Sequence, residues 1–401
     1  MGIDVLVLNT AVADFRRPEF VFAEKLVGAG GLAKCRTVDM PAYTQQQYSG
    51  WISQGSATAG GPGNAAPLIA RAGLKVAVGV CLGKGEFDGL DAQGRFFHDT
   101  LTANGIDMSA TAVHPTLPTG TTFIYDKPGS ERGGIAYFPN ANNEFDFEHF
   151  RHAVDRLRPR VVYYMYSGLS DRGDANGGQD LAAFLRCCRD KGCVTIADSH
   201  TLTGDPHGLI RSGKPVPEYA LLDPLLPELD IFFTSFDEAQ MIENTLDTPR
   251  RWQDFDQADN CRHFLKFLSG RYWSGISRTR LFGVTVNNGA WHVSRDPAGT
   301  VTGPVKTESK FMAGEVIDLV GAGDSFRSGL ITYIARNLPA FQSGSIRFDQ
   351  AVSMGNLFAS LFIKAPLNDR YGHIFPYGKM AAVVTSDRHW KTIDDLLRAF
   401  E

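Results

Sequence analysis

Short runs of apolar, β-prone residues alternate along this chain with stretches whose apolar positions recur every three or four residues. The runs Val5–Leu8, Val76–Val80, Val161–Tyr166, Val194–Ala197, Ile231–Thr234 and Leu281–Val286 predict strands. Several are apolar at every position, the pattern of strands buried on both faces rather than one. Between them, Phe147–Leu157, Asp180–Arg189, Phe236–Ile242, Asn260–Leu268, Asp324–Arg336 and Phe348–Ile363 predict helices, and His389–Phe400 has the same periodicity. Strands alternating with helices imply an α/β fold of three layers, with a mostly parallel central sheet covered by helices.

Two regions break the alternation. Residues 10–60 mix aromatics (Phe15, Phe20, Tyr43, Tyr48, Trp51) with polar residues and glycines. Residues 119–138 hold two strand-like runs, Thr121–Tyr125 and Ile135–Phe138, joined by the turn-rich Lys127-Pro128-Gly129-Ser130. An isolated hairpin needs a surface to pack on, so these segments read either as a small β lid over the end of the sheet or as a surface hairpin. Residues 199–229, rich in Pro and Gly, show no clear element and read as an inserted surface loop. The expected organisation is one domain over 1–401, lid segments near 12–58 and 119–140, and a surface insertion near 199–229.

Composition narrows the function classes. The chain has 401 residues, 43% hydrophobic and 21% charged, enough to bury a substantial core. Forty basic side chains against 44 acidic leave a net charge of −4, so no basic surplus exists for a nucleic-acid backbone. Six scattered cysteines form neither a disulfide framework nor a zinc pattern. The opening Met1-Gly2-Ile3-Asp4 lacks the basic start of a secretory signal, and no apolar run approaches a membrane span. A soluble, cytoplasmic protein is expected.

The candidate chemistry lies in two glycine-rich segments. Asp318-Leu319-Val320-Gly321-Ala322-Gly323-Asp324 opens an amphipathic run. Its glycines let backbone amides approach a ligand closely, and amides at a helix start form an anion site. A carboxylate beside such a site is odd if phosphate is only held there. It makes sense if Asp324 takes a proton from a hydroxyl that attacks the phosphate; the plainer reading is that Asp324 caps the helix. The second segment, Ala59-Gly60-Gly61-Pro62-Gly63-Asn64-Ala65-Ala66, precedes a helical stretch, and Asn64 offers a donor and an acceptor suited to sugar hydroxyls or to a cap.

Together these segments resemble the two signatures of the ribokinase-like, phosphofructokinase-B type carbohydrate kinases. Further similarities follow in order from about residue 3 to about residue 365: Asp14 after the first strand, Pro118-Thr119-Gly120 with Glu131-Arg132 in the lid, Pro139-Asn140-Ala141-Asn142, Asp198, and Glu238 in an Asn-x-x-Glu position. The resemblance implies an ATP-dependent kinase. In it Asp324 is the base and Gly321, Ala322 and Gly323 form the anion hole; Asp14, Gly61 and Asn64 hold the acceptor. It further implies that Ser235 and Glu238, with Glu238 ordering Mg2+ through water, together with Thr285, Asn287, Gly289 and Asn356 serve the nucleotide, and that Asp318 is placed for a monovalent cation such as K+. Three departures stand out. Leu319 replaces a threonine, Ser235 replaces the asparagine of Asn-x-x-Glu, and Thr285-Val286-Asn287 replaces Thr-x-Gly.

The expectation is phosphorylation of a primary hydroxyl on a small-molecule sugar or sugar derivative. The alternatives are a nucleoside kinase of the same fold, which the aromatics of 10–60 leave open, and a non-catalytic sugar- or nucleotide-binding regulator, supported by Leu319 and Ser235. An apolar lid is a self-association surface, which favours a homodimer. A dinucleotide-dependent dehydrogenase is disfavoured because no Gly-x-Gly-x-x-Gly follows the first strand.

Overall fold

The structure, a computed structural model, describes every residue except 1, 18, 29, 126–133, 248–249, 313, 387, 391 and 401. Its main sheet has eight strands in the order Val301–Glu308, Gly289–Arg295, Arg280–Val286, Ile231–Ser235, Val194–Ser199, Val161–Ser167, Val5–Leu8 and Val76–Gly79. From Val76–Gly79 to Arg280–Val286 all neighbours are parallel, and the last two strands run antiparallel. All six predicted strands belong to this sheet, and the side chains of Val5–Leu8, Val76–Gly79, Val161–Ser167 and Val194–Ser199 are buried throughout. Covered faces require apolar residues at every position, which is why these strands showed no alternation.

From Val5–Leu8 the chain first steps to Val76–Gly79 on one side, then resumes at Val161–Ser167 on the other. Right-handed crossovers running in opposite directions place their helices on opposite faces. Pro62–Arg71 therefore lies on one face, packed with Ala322–Arg336, which in turn packs on Phe348–Ile363; Gln179–Asp190 and Gln257–Tyr272 cover the other. The point where the strand order reverses opens a crevice at the carboxyl ends of Val5–Leu8 and Val161–Ser167, the usual place for a ligand in such sheets.

A second sheet has five strands, in the order Leu32–Lys34, Gly134–Phe138, Thr121–Tyr125, Val12–Arg16 and Ala57–Gly60. It has its own apolar core, in which Phe15, Phe20, Tyr48, Phe123 and Phe138 are buried, with Tyr43 and Trp51 packed against them. The aromatics of residues 10–60 thus cover the lid sheet. The turn 127–130 and Glu131-Arg132 lie outside the described residues. Asn142 ties the base of this layer, its amide accepting from the N–H of Ala11 and donating to the carbonyl of the same residue.

Two expectations need correction. Residues 199–229 are not a featureless surface loop. They form the helix Pro206–Ser212 and a run of short turns from Pro217 to Glu228, with Tyr219, Leu222, Leu225 and Leu226 fully buried. The prolines open helical turns there, where a missing N–H costs nothing. The segment also docks on the lid, accepting hydrogen bonds from Gly28 and Leu32 at the carbonyls of Gly204 and Thr203. At the C-terminus only Ile393–Arg398 is helical within the expected 389–400.

Because the lid core is separate, Phe123→Ala should weaken it locally by about 3–5 kcal/mol. Amide exchange should quicken in Val12–Arg16 and Thr121–Tyr125 while Val161–Ser167 stays protected. Uniform loss of protection across both sheets would contradict two cores.

Candidate functional site

The two glycine-rich segments meet. Gly61 precedes the helix Pro62–Arg71 and Gly321 precedes Ala322–Arg336, each with positive φ (+58° and +88°). A Cβ on Gly61 would lie 2.2 Å from the carbonyl oxygen of Thr10, and one on Gly321 would lie 2.8 Å from the Phe362 ring. Both positions therefore need glycine on two counts, sterics and backbone. Asn64 and Asp324 each occupy the third position of their helix, and Asn64 Nδ2 donates to Asp324 Oδ2 at 3.0 Å. Asp324 does not cap its own helix. Gly321 is the capping residue, and no side chain caps that end.

Asp324 is buried, at 5% exposure. Its Oδ2 also accepts from the Tyr166 hydroxyl at 2.5 Å, and Arg327 Nη1 lies 3.6 Å from Oδ1. Arg327 is one helical turn further along the chain and reaches Asp198 Oδ2 at 3.0 Å, while its remaining nitrogens donate to the Phe233 carbonyl. Asp198 accepts in addition from Tyr163 Oη and from the N–H of Tyr166. Burial pushes the Asp324 carboxyl up, opposed by Arg327, Tyr166 and Asn64; the same desolvation puts Asp198 at about 6, opposed by Arg327. Burial also opposes the charge on Arg327, but Asp198, Tyr163 and Asp324 more than offset it, and the guanidinium stays protonated.

A cavity of about 280 Å³ opens in front of this carboxylate. The helix starts contribute Gly61, Asn64, Gly321, Ala322, Gly323 and Asp324. From the lid come Asp14 with Val12, Leu32, Thr122, Ile124 and Ile135. Asp14 accepts from the Thr122 hydroxyl, and burial raises its carboxyl to about 6 despite that bond and the nearby Arg370. Ser235, Glu238 and Thr285 also line the cavity. Tyr43, Tyr48 and Trp51 do not reach the cavity; its aromatic wall is Tyr137, Tyr166 and His200, none of which the sequence singled out.

Asn287, Gly289, Asn356 and Asp318 lie apart from it. Asn287 is exposed in the turn before Gly289, and neither lines the cavity. Asn356, on Phe348–Ile363, is buried with its Nδ2 unpartnered, an unspent donor on the helix that packs against Ala322–Arg336. Glu238 and Ser235 form a reciprocal cap: Glu238 Oε2 accepts from the Ser235 N–H and the Thr234 hydroxyl, and the Ser235 hydroxyl accepts from the Glu238 N–H. Asp318 faces two guanidinium groups, Arg370 at 3.3 Å and Arg16 at 3.6 Å, and its Oδ1 accepts from the Val320 N–H. A carboxylate so neutralised does not fit a monovalent-cation ligand, and no step is assigned to K+. Among the described residues no cluster of three or more His, Cys, Asp or Glu side chains could hold a metal, and no helix is long and apolar enough to cross a membrane.

With this geometry in place, comparison with known proteins decides the family. The profile of the pfkB family carbohydrate kinases matches residues 37–258, more than half of the chain. The chain belongs to the pfkB family. The match ends before Gly321–Asp324. No curated protein sequence matches the chain significantly. Among solved structures it is similar to a probable sugar kinase from Rhizobium etli CFN 42 (17% identity, 91% of this chain and 94% of the other, TM-score 0.60). It is also similar to an adenosine kinase from Schistosoma mansoni in complex with 2-fluoroadenosine (14%, 91% and 96%, 0.62). A third similar structure is a fructokinase from Vibrio cholerae O395 bound to fructose, ADP and calcium (17%, 95% and 99%, 0.57). At these identities the likeness is one of fold, and the mostly parallel α/β architecture is that of ribokinase-like kinases.

Arg327→Leu should leave Asp198 and Asp324 buried without their cation, destabilising the protein by about 3–5 kcal/mol at pH 8. The sign with pH follows from the carboxylates. Without the guanidinium their acid forms are favoured further, and near pH 5 protonation relieves the unpaired charge. The difference from wild type in thermal unfolding should therefore shrink on acidification. An equal or larger difference at pH 5 would show that the pair contributes nothing.

Proposed function

We propose that this pfkB-family protein transfers the terminal phosphoryl group of ATP to a primary hydroxyl of a neutral, polyhydroxylated acceptor, with Asp324 as general base. One observation carries the reading: the buried Asp324 carboxylate sits in the first turn of a helix whose Gly321-Ala322-Gly323 start opens into the same cavity as Asp14 and Asn64. The acceptor O–H proton moves to Asp324 as its oxygen forms the new bond to phosphorus, and the bridging P–O bond breaks to release ADP. The amides of the Gly321–Gly323 turn and the positive end of that helix would stabilise the equatorial oxygens of the moving group. A divalent ion carried on the nucleotide phosphates would neutralise their charge. Glu238, with Oε2 already spent, would reach it through water. Asn356, with its free Nδ2, is a candidate contact for the nucleotide.

The charge around the cavity supports a neutral acceptor. Its charged lining side chains are Asp14, Glu238, Asp324 and Arg327, and Arg327 is committed to Asp198 and the Phe233 carbonyl. A sugar acid or sugar phosphate would meet carboxylates and pay for desolvating like charge. Hydroxyls can instead donate to Asp14, while Leu32, Ile124, Ile135 and Leu169 offer an apolar wall. That wall also suits the base of a nucleoside, which is the second reading.

Asp324→Asn should lower kcat for ADP release by about 100- to 10,000-fold while nucleotide binding persists. Retention of more than a tenth of wild-type kcat would remove Asp324 from the role of base. In a panel of pentoses, hexoses, nucleosides, sugar acids and sugar phosphates, turnover should be confined to neutral acceptors, and sugars against nucleosides separates the two readings. Preferential turnover of an anionic acceptor would overturn the charge argument. Acceptor KM should rise as pH falls from 7.5 to 5.5, through the Asp14 value of about 6, because a protonated Asp14 no longer offers two accepting oxygens. Asp14→Asn should flatten that dependence.

A further inference from the structure

We infer that Tyr166 is a positioning residue for Asp324, its hydroxyl and the Asn64 amide together filling Oδ2 so that Oδ1 is left to take the acceptor's proton. This rests on the kinase reading above and adds to it a residue that neither glycine-rich segment contains.

Tyr166 is held in a conformation that ordinary strand residues avoid. Its φ is +59°, in the left-handed region, at the register shift between Tyr164 and Ser167, where the pairing with Val194–Ser199 slips by one residue before resuming at Ser167 and Ser199. Such backbone strain in a non-glycine residue persists only where surrounding contacts impose it. Those contacts are present. The Tyr166 N–H donates to Asp198 Oδ1 at 2.7 Å, the ring meets His200 edge-on at 5.0 Å, and the ring's Cε2 lies near the Gly61 turn, where a Cβ would be 3.6 Å away. The bulge thus turns the side chain out of the sheet and onto Asp324, where Tyr166 Oη and Asn64 Nδ2 both donate to Oδ2. Two donors occupy the two lone pairs of that oxygen. Among the described residues Oδ1 has only the 3.6 Å approach of Arg327.

The arrangement also couples the base to the ion pair behind it. Asp198 receives both the backbone of Tyr166 and the guanidinium of Arg327, so one buried carboxylate fixes two of the groups that surround Asp324. The groups facing Asp324 are Arg327 from its own helix, Asn64 from Pro62–Arg71, Tyr163 and Tyr166 from Val161–Ser167, Asp198 from Val194–Ser199 and Asp14 from the lid; Glu238 acts on it through Arg327. Tyr166 itself stays protonated, since burial and then the charge of Asp324 hold its phenol well above the ordinary value. Its donation favours the carboxylate form of Asp324, so removing the hydroxyl must raise the pH at which the base becomes available.

The test is Tyr166→Phe, which keeps the ring and its contacts. At neutral pH, kcat should fall about 10- to 100-fold with acceptor KM within about threefold of wild type. At saturating acceptor, where Asp14 is engaged by hydroxyls, the acidic limb of kcat should move up by about one pH unit. Tyr166→His, which can donate from a ring nitrogen, should recover part of the rate. A carbon-13 titration of the Asp324 carboxyl, assigned by its loss in Asp324→Asn, reads the same contact without turnover and should move in the same direction. An active wild type whose limb and titration are both unmoved by Tyr166→Phe overturns the inference and leaves the kinase reading standing. A wild type inactive on every acceptor, but whose Asp324 titration still shifts, sinks the kinase reading and keeps the contact.

Discussion

A carboxylate is buried at a helix start that faces a cavity, and the groups around it are arranged to compensate its charge. Burial alone favours the protonated form of Asp324. Arg327 sits one helical turn away and supplies the opposing charge, but an arginine in that position would itself be too costly to bury without a second carboxylate. Asp198, at the end of a central strand, provides it and receives Tyr163 and Tyr166 as well. The chain thus places acid, cation and acid in a line from the cavity into the protein, with every remaining guanidinium nitrogen on the Phe233 carbonyl. Charges organised in this way hold a group at a fixed position in a low dielectric, which the proposed proton transfer would require.

The lid follows a different logic. Its aromatic cluster gives one face an apolar core of its own, while Val12, Leu32, Ile124, Ile135 and Tyr137 on the other join the main core; polar ties are Ala11 clasped by Asn142, Lys34 paired with Asp171 and Asp174, and Gly28 and Leu32 bonded to the carbonyls of Gly204 and Thr203. One face of the layer is packed with Phe15, Phe20 and Phe123, and the other presents Asp14, Ile124 and Ile135 to the cavity. The segment 199–229, which carries leucines into the main core and carbonyls to the lid, joins the two.

Much of this was legible in the chain. Continuous apolar runs such as Val5–Leu8 and Val161–Tyr166 announced strands covered on both faces, and Gly321-Ala322-Gly323-Asp324 before an amphipathic run announced a helix start that could meet an anion. Prolines misled: at 206 and 217 they open helical turns, while the leucines at 222, 225 and 226 carried a helical spacing that a Pro/Gly-rich reading passes over. Arg327 was within reach of the same periodicity, three residues after Asp324 on a face that otherwise carries buried residues. Tyr166 was not, because nothing local distinguishes it from the strand residues before it. Arg370 lay past the end of the recognised pattern, and it turned the expected cation position at Asp318 into an ion pair.

What the sequence determined on its own is the set of local elements and the chemistry of the two glycine turns, because strand burial, helix period and the need for positive φ are properties of neighbouring residues. Only the tertiary structure decided that Asn64 and Asp324 would touch across 260 positions, that a strained tyrosine would join them, and that Tyr43, Tyr48 and Trp51 would stay out of the cavity while Tyr137 lines it. These are contacts between distant segments. They depend on the reversal of strand order and on which face of each layer is covered, and no stretch of chain records either by itself.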